Sequence, residues 1–281
     1  MRTDTGQVFR LEDYRPSDYL IPATELDFRL GADSTRVVAK LTIERRAGID
    51  KPVQLELDGD GLTLRRIEID GEAVDAANFD ATPERLVIYN PPASGRFTLL
   101  IETELAPSRN EALMGLYRSS KVYCTQCEAE GFRRITYFLD RPDILSVYSV
   151  RIEAERAEAP LLLSNGNPVE RGDLGQGWHY AVWHDPFPKP SYLFALVAGD
   201  LGCIKDRFVT ASGKEVELGI YVEHGKENQA GYAMDALRRS MTWDEEVFGC
   251  EYDLDVFNIV AVSDFNMGAM ENKGLNIFND K

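Results

Sequence analysis

The stretch Gly268-Ala269-Met270-Glu271-Asn272 joins a nearly bare backbone to a carboxylate. Gly268 and Ala269 carry almost no side-chain cover, so an extended peptide can approach and pair with them as an added strand. Glu271 can then supply a negative charge to a free amino terminus. The competing reading is a strand that ends in a polar turn with Glu271 solvated. A second candidate is Cys124-x-x-Cys127, the spacing of half a zinc site or of a redox couple. Zinc would need two further ligands, however, and Cys203 and Cys250 are distant in sequence. With no βαβ context around the pair, reduced thiols in or near a core are the simpler reading. His179, His184 and His224 are scattered. None sits in H-E-x-x-H, which would place two imidazoles and a general base on one helix face, and His184 reads as a loop or core histidine. The sequence contains neither a glycine-rich phosphate loop nor a Gly-x-Ser-x-Gly nucleophile elbow.

The elements that must position these residues are mostly strands. Leu26, Phe28 and Leu30 alternate with Glu25, Asp27 and Arg29, the period-two signature of a sheet with one buried face. Val37, Ala39, Leu41 and Ile43 repeat the pattern, as do Val53, Leu55 and Leu57, and then Phe97, Leu99 and Ile101. Turn signals such as Asp70-Gly71, Asn90-Pro91-Pro92 and Asn165-Gly166-Asn167 separate the runs. Asp185-Pro-Phe-Pro-Lys-Pro190 reads as a rigid connection before a last apolar strand between Tyr192 and Ala198. Many short strands with regular turns predict a β-sandwich or a related two-sheet domain.

Beyond Gly199-Asp200 the pattern changes. A strand over Val216 to Val222 is followed, between Lys226 and Phe248, by Ala233, Leu237 and Met241 at helical spacing, joined by Val247 and Phe248. Gly249 stands where a left-handed cap ends a helix. A further strand from Val256 to Val262 leads into the segment that holds Glu271. These features predict two domains, residues 1–200 and 201–281, with the second expected to be truncated because some eighty residues make a small α/β domain.

With 281 residues, 44% hydrophobic and 28% charged, the chain has the balance of a globular protein able to bury a core. Its 47 acidic and 31 basic residues give a formal charge of −16. A surface that negative repels phosphate backbones and anionic headgroups, so nucleic acid and membrane are poor partners, whereas a cationic ligand is favoured. The N-terminus lacks the apolar stretch of a signal peptide and no segment reaches the roughly 18 apolar residues of a membrane span, so a cytoplasmic location is expected.

Two longer stretches carry a family resemblance. One is Phe265-Asn-Met-Gly-Ala-Met-Glu-Asn-Lys-Gly-Leu-Asn-Ile-Phe278; the other is Cys124-Thr-Gln-Cys-Glu-Ala-Glu-Gly-Phe-Arg-Arg-Ile-Thr-Tyr-Phe-Leu-Asp-Arg-Pro-Asp143. Together they resemble the aminopeptidase N family of zinc-dependent metallopeptidases, and most closely its bacterial cytosolic alanyl type. The resemblance implies a mainly β chain, with an N-terminal β-sandwich or saddle-like domain followed by the truncated start of a thermolysin-like α+β catalytic domain. It implies that Glu271 and Glu128 hold the α-ammonium of a peptide with a free N-terminus. Two carboxylates converging on one dehydrated ammonium satisfy more of its three donors than one can, which disfavours internal peptide bonds. By the same resemblance Gln126 and Met267 shape the pocket for the first side chain. Gly268, Ala269, Met270 and Asn272 complete the substrate-binding set, with Ala269 and its neighbours pairing with substrate backbone. Zinc is implied for the full-length enzyme, with its ligands beyond the signature pentapeptide. No bound metal and no catalytic residue is expected in this segment, which alone should hydrolyse nothing. The rival reading is a non-enzymatic β-sandwich module that binds peptides or sugars.

Overall fold

In the computed structural model, residues 10–49 and 53–281 are described, so all but Arg10 of the stretch read above for an export signal lies outside them. The alternating runs assemble into an eight-stranded sheet. Its order is Asn167–Gly175, Trp178–Lys189, Ser146–Glu155, Tyr19–Arg29, Thr35–Arg45, Arg96–Leu105, Thr63–Ile69 and Glu72–Ala73. All neighbours pair antiparallel except Tyr19–Arg29 with Ser146–Glu155, which run parallel. One face is dry, because Val37, Ala39, Leu41 and Ile43 are all fully buried. The other face is solvated and laced by Arg36 to Glu102 at 2.7 Å and Lys40 to Glu25 at 2.9 Å. Such exposed pairs contribute little each, so apolar burial holds this sheet.

Two smaller sheets share that core. One contains Leu55–Asp58, Arg85–Ile88 and Phe79–Thr82. The other, in the order Leu161–Ser164, Leu196–Gly199, Val122–Gln126 and Gly115–Ser119, is buried along nearly its whole length. An aromatic cluster fills the space between elements: Phe132 stands edge-on to Phe138 at 4.8 Å and to Phe194 at 5.2 Å between ring centroids. The mainly β expectation holds, and among the described residues there is one α-helix. Among the described residues no helix is long and apolar enough to cross a membrane.

Two local readings need correction. The proline-rich stretch is part of the strand Trp178–Lys189 rather than a connection outside the sheet. Its neighbour Asn167–Gly175 stops pairing at His184, so Pro186 and Pro188 lie where one edge needs no donor. The same stretch buries Lys189, whose Nζ sits 3.0 Å from Asp185 Oδ2, without hydrogen-bond geometry, and 4.0 Å from the centre of the Tyr148 ring. Burial, only partly offset by Asp185, pulls the Lys189 ammonium down to about 8. The helix runs from Gly231 to Phe248 and buries Met234, Leu237 and Met241, so Ala233 is not on its inner face. Val247 and Phe248 are exposed. Gly249 does close it, with φ at 62° and its N–H on the Glu245 carbonyl at 3.0 Å.

The residues after Asp200 form a five-stranded sheet in the order Gly202–Val209, Glu215–Val222, Val256–Val262, Leu275–Asn279 and Ala269–Met270. Its two faces have different neighbours. Phe257, Ile259 and Ala261 face a small core built from the helix and the first two strands. Val256, Val260 and Val262, together with Leu275 and Ile277, join the large core of the preceding sheets. That shared core fixes where the end of the chain stands relative to the four-stranded sheet.

Candidate substrate-anchoring site

Gln126 ends the strand Val122–Gln126, in register with Gly115 of its hairpin partner. The chain then turns rather than continuing extended, and the Gly131 N–H closes on the Cys127 carbonyl at 2.8 Å. Space dictates a glycine there, since a Cβ would lie 2.5 Å from the Gln126 carbonyl oxygen and 2.9 Å from Cys127 Cα. The turn leaves Glu128 half-buried and projects Glu130 into solvent. Glu130 is committed to Arg133 at 3.5 Å, whereas Glu128 has neither ion pair nor hydrogen bond among the described residues. Farther along the motif the roles are structural. Asp140 accepts from the Arg133 N–H and Nε, both at 3.1 Å, and from Ser191 Oγ at 2.5 Å, which fixes the turn from behind.

The second segment docks against this hairpin. Tyr117 Oη donates to the Asp264 carbonyl at 2.9 Å, and Ser119 Oγ accepts the Asp264 N–H at 3.0 Å. Asn266 Nδ2 reaches the Leu113 carbonyl at 3.2 Å, two residues from the partner of Gln126. The loop then folds back as the edge strand Ala269–Met270, with Ala269 opposite Phe278 and Met270 opposite Ile277. Only one side of that strand is paired among the described residues, so a backbone edge remains open beside Glu271.

Met267, Gly268, Ala269 and Glu271 are exposed, and Glu271 has no ion pair or hydrogen bond among the described residues. A Cβ on Gly268 would meet nothing within 4 Å. Met270 is fully buried in the core and offers only its backbone. Gln126 and Asn272 are each 1% exposed, yet neither carboxamide has a hydrogen-bond partner among the described residues. Leaving such groups unmatched costs about 1–3 kcal/mol each.

No group of three or more His, Cys, Asp or Glu among the described residues could hold a metal. His179 is engaged with the Ala159 carbonyl at 2.7 Å, His184 with Ser149 Oγ at 2.9 Å and His224 with Asp200 at 2.9 Å. Cys124 and Cys127 are buried; burial pushes the Cys124 thiol up to about 12 and Cys127 well above the ordinary thiol range, away from the thiolate that zinc or disulfide exchange requires. The residues present do not fit a zinc centre.

An unpaired edge strand, a free carboxylate at its end and a second free carboxylate on the turn after Gln126 are groups that an extended chain with a cationic end could use. The chain also matches the peptidase M1 N-terminal domain over residues 16–193 and the peptidase family M1 domain over residues 232–281. The chain belongs to peptidase family M1. It is 57% identical to aminopeptidase N of Caulobacter vibrioides and 52% identical to aminopeptidase N of Escherichia coli, over 99% of its length in both cases. It spans about a third of the length of these M1 relatives, 32% and 31%. The fold matches that of Legionella pneumophila aminopeptidase A in complex with aspartic acid, with a TM-score of 0.91 and 34% identity over 96% of this chain and 32% of that one.

Sequence reasoning grouped Gln126, Glu128 and the 267–272 segment, and the fold docks the stretch leading into that segment on the hairpin that ends in Gln126. It missed the residues that hold these segments together: Tyr117, Ser119, Thr125 and Asn165. Thr125 stood inside a stretch that carries the family resemblance and Asn165 inside a turn signal, while Tyr117 and Ser119 were not singled out.

Proposed function

We propose that this M1 chain is the substrate-anchoring part of an aminopeptidase that removes N-terminal residues from peptides. The carrying observation is the open edge of Ala269–Met270, which ends in Glu271 on a segment docked against the hairpin that leads to Glu128, with both carboxylates uncommitted. A substrate adds as a short strand along Gly268 and Ala269, and its ammonium lies between Glu271 and Glu128. Its first side chain lies over Met267, beside the Gln126 carboxamide. Asn272 offers a second buried carboxamide at the end of the same segment. The zinc implied by the family resemblance belongs to residues other than those described, and these 281 residues anchor substrate without hydrolysing it. A cytoplasmic location follows from the resemblance to bacterial cytosolic enzymes and accords with four free cysteines.

The test uses the full-length parent protein and matched pairs of peptides, free or acetylated at the amino terminus. Acetylation removes the cation while leaving the rest of the peptide intact. The expected result is cleavage of the free peptides and a loss of at least about a hundredfold in kcat/KM for the acetylated ones, from stranding two carboxylates without their charge. Equal cleavage of both would overturn the reading.

A further inference from the structure

Glu128 and Glu271 each follow a strand of a different sheet, and a buried residue that ties their two segments together is Asn165. It is 1% exposed and its carboxamide is fully used. Oδ1 accepts the Ala195 N–H at 2.7 Å, and Nδ2 donates to the Leu193 carbonyl at 3.0 Å and to the Lys273 carbonyl at 2.9 Å. Lys273 is two residues beyond Glu271. On the other side, the next N–H along, that of Leu196, donates to Thr125 Oγ1 at 2.8 Å, and Thr125 stands three residues before Glu128. One buried amide and one buried hydroxyl therefore connect the two anchoring segments. The backbone around Asn165 is shaped to fit. Gly166 has φ at 85°, and a Cβ there would lie 2.2 Å from the His184 carbonyl oxygen. Gly274, just past Lys273, packs so closely that a Cβ would stand 3.2 Å from the Gly166 nitrogen.

We infer that Asn165 is a positioning residue that sets the separation of Glu128 and Glu271, and through it the grip on the substrate ammonium. The residue type is dictated by the partners: two carbonyls require a donor and the Ala195 N–H requires an acceptor, on a side chain short enough to reach all three. Aspartate has the shape but cannot donate to either carbonyl. The inference rests on the ammonium-anchor reading above, and its test separates the two.

The experiment is a double-mutant cycle in the full-length parent protein, with kcat and KM measured on peptides with a free amino terminus. Alone, Asn165→Asp is expected to lower kcat/KM roughly ten- to a hundredfold, the scale of a displacement of about 1 Å in a binding group. In a Glu271→Gln background the same change should cost less than about twofold, because the group that Asn165 positions is already disabled. A purely structural role would give the same fall in both backgrounds, and that result, or no fall in either, overturns the inference. A Glu271→Gln enzyme with undiminished kcat/KM would overturn the ammonium anchor itself. A large Glu271→Gln loss without coupling to Asn165 overturns only the positioning role. Should Asn165→Asp fail to accumulate as folded protein, Thr125→Val breaks the next bond in the same relay and is read in the same cycle.

Discussion

Gly131 and Gly268 occupy the two loops of the proposed site, and replacing each by alanine should affect stability very differently. Gly131 has φ −89° and ψ −19°, a conformation open to any residue, so the cost of a methyl there is set by space alone. That methyl would stand 2.5 Å from the Gln126 carbonyl oxygen, where ordinary contact begins at 3.4 Å. Roughly 0.9 Å must be found by moving backbone, because the nearest obstacles are the main chain of Gln126 and Cys127. Overpacking of this kind costs typically 1–3 kcal/mol. At about 2–4 °C per kcal/mol for a chain of this size, Gly131→Ala should lower the melting temperature of the 281-residue chain by roughly 2–12 °C. Gly268→Ala meets nothing within 4 Å and should leave the melting temperature within about 1 °C. In the full-length protein the order of causes reverses. Gly131→Ala should impair cleavage by displacing Glu128, and Gly268→Ala by placing a methyl where the peptide backbone must approach. Melting curves by circular dichroism, set beside kcat/KM for a free-amino peptide, decide the matter. A Gly131→Ala chain as stable as the parent would refute the packing argument, and a fully active Gly268→Ala enzyme would refute the path assigned to substrate.

In the full-length protein, Glu271→Gln and Glu128→Gln should each lower kcat/KM by roughly thirty- to several thousand-fold, the effect of losing about 2–5 kcal/mol from a charge pair buried under substrate. Glu130→Gln breaks only the exposed pair with Arg133 and should cost less than about threefold; an equal loss at Glu130 would argue for a general charge effect. The buried Lys189 gives a pH signature. Its folded-state value near 8 lies below the unfolded value near 10.5, so between these limits the unfolded chain holds the extra proton and stability rises with pH. From pH 7 to 9 this group should contribute about 1 kcal/mol of stability, none of which remains in a Lys189→Met/Asp185→Asn protein. The difference between the two proteins is the quantity to measure, because the raised thiols of Cys124 and Cys127 pull stability down above pH 9. Identical pH profiles would contradict the assignment.

The sequence by itself determined the mainly β class, because a one-sided sheet imposes a period of two that survives as Val37, Ala39, Leu41 and Ile43 or as Phe97, Leu99 and Ile101. It also singled out two segments, the stretches that carry the family resemblance. It could not determine which side chains in those segments are free. Met270 and Glu271 are adjacent in sequence, yet the pairing of Met270 with Ile277 sends one inward and leaves the other outside. Residue type and spacing alone did not separate Glu128 from Glu130, which only the resemblance distinguished, because their physical difference is a turn closed by Gly131 and an arginine three residues on. The helix was legible but its face was not: Met234 and Ala233 fit a helical period almost equally, and only docking on two particular strands chose between them. Least legible was the joining of the two anchoring segments. Tyr117, Ser119, Thr125 and Asn165 act across separations of 28 to 147 residues. A hydrogen bond between groups so far apart in the chain leaves no local periodicity, so its existence is settled only when the sheets have packed.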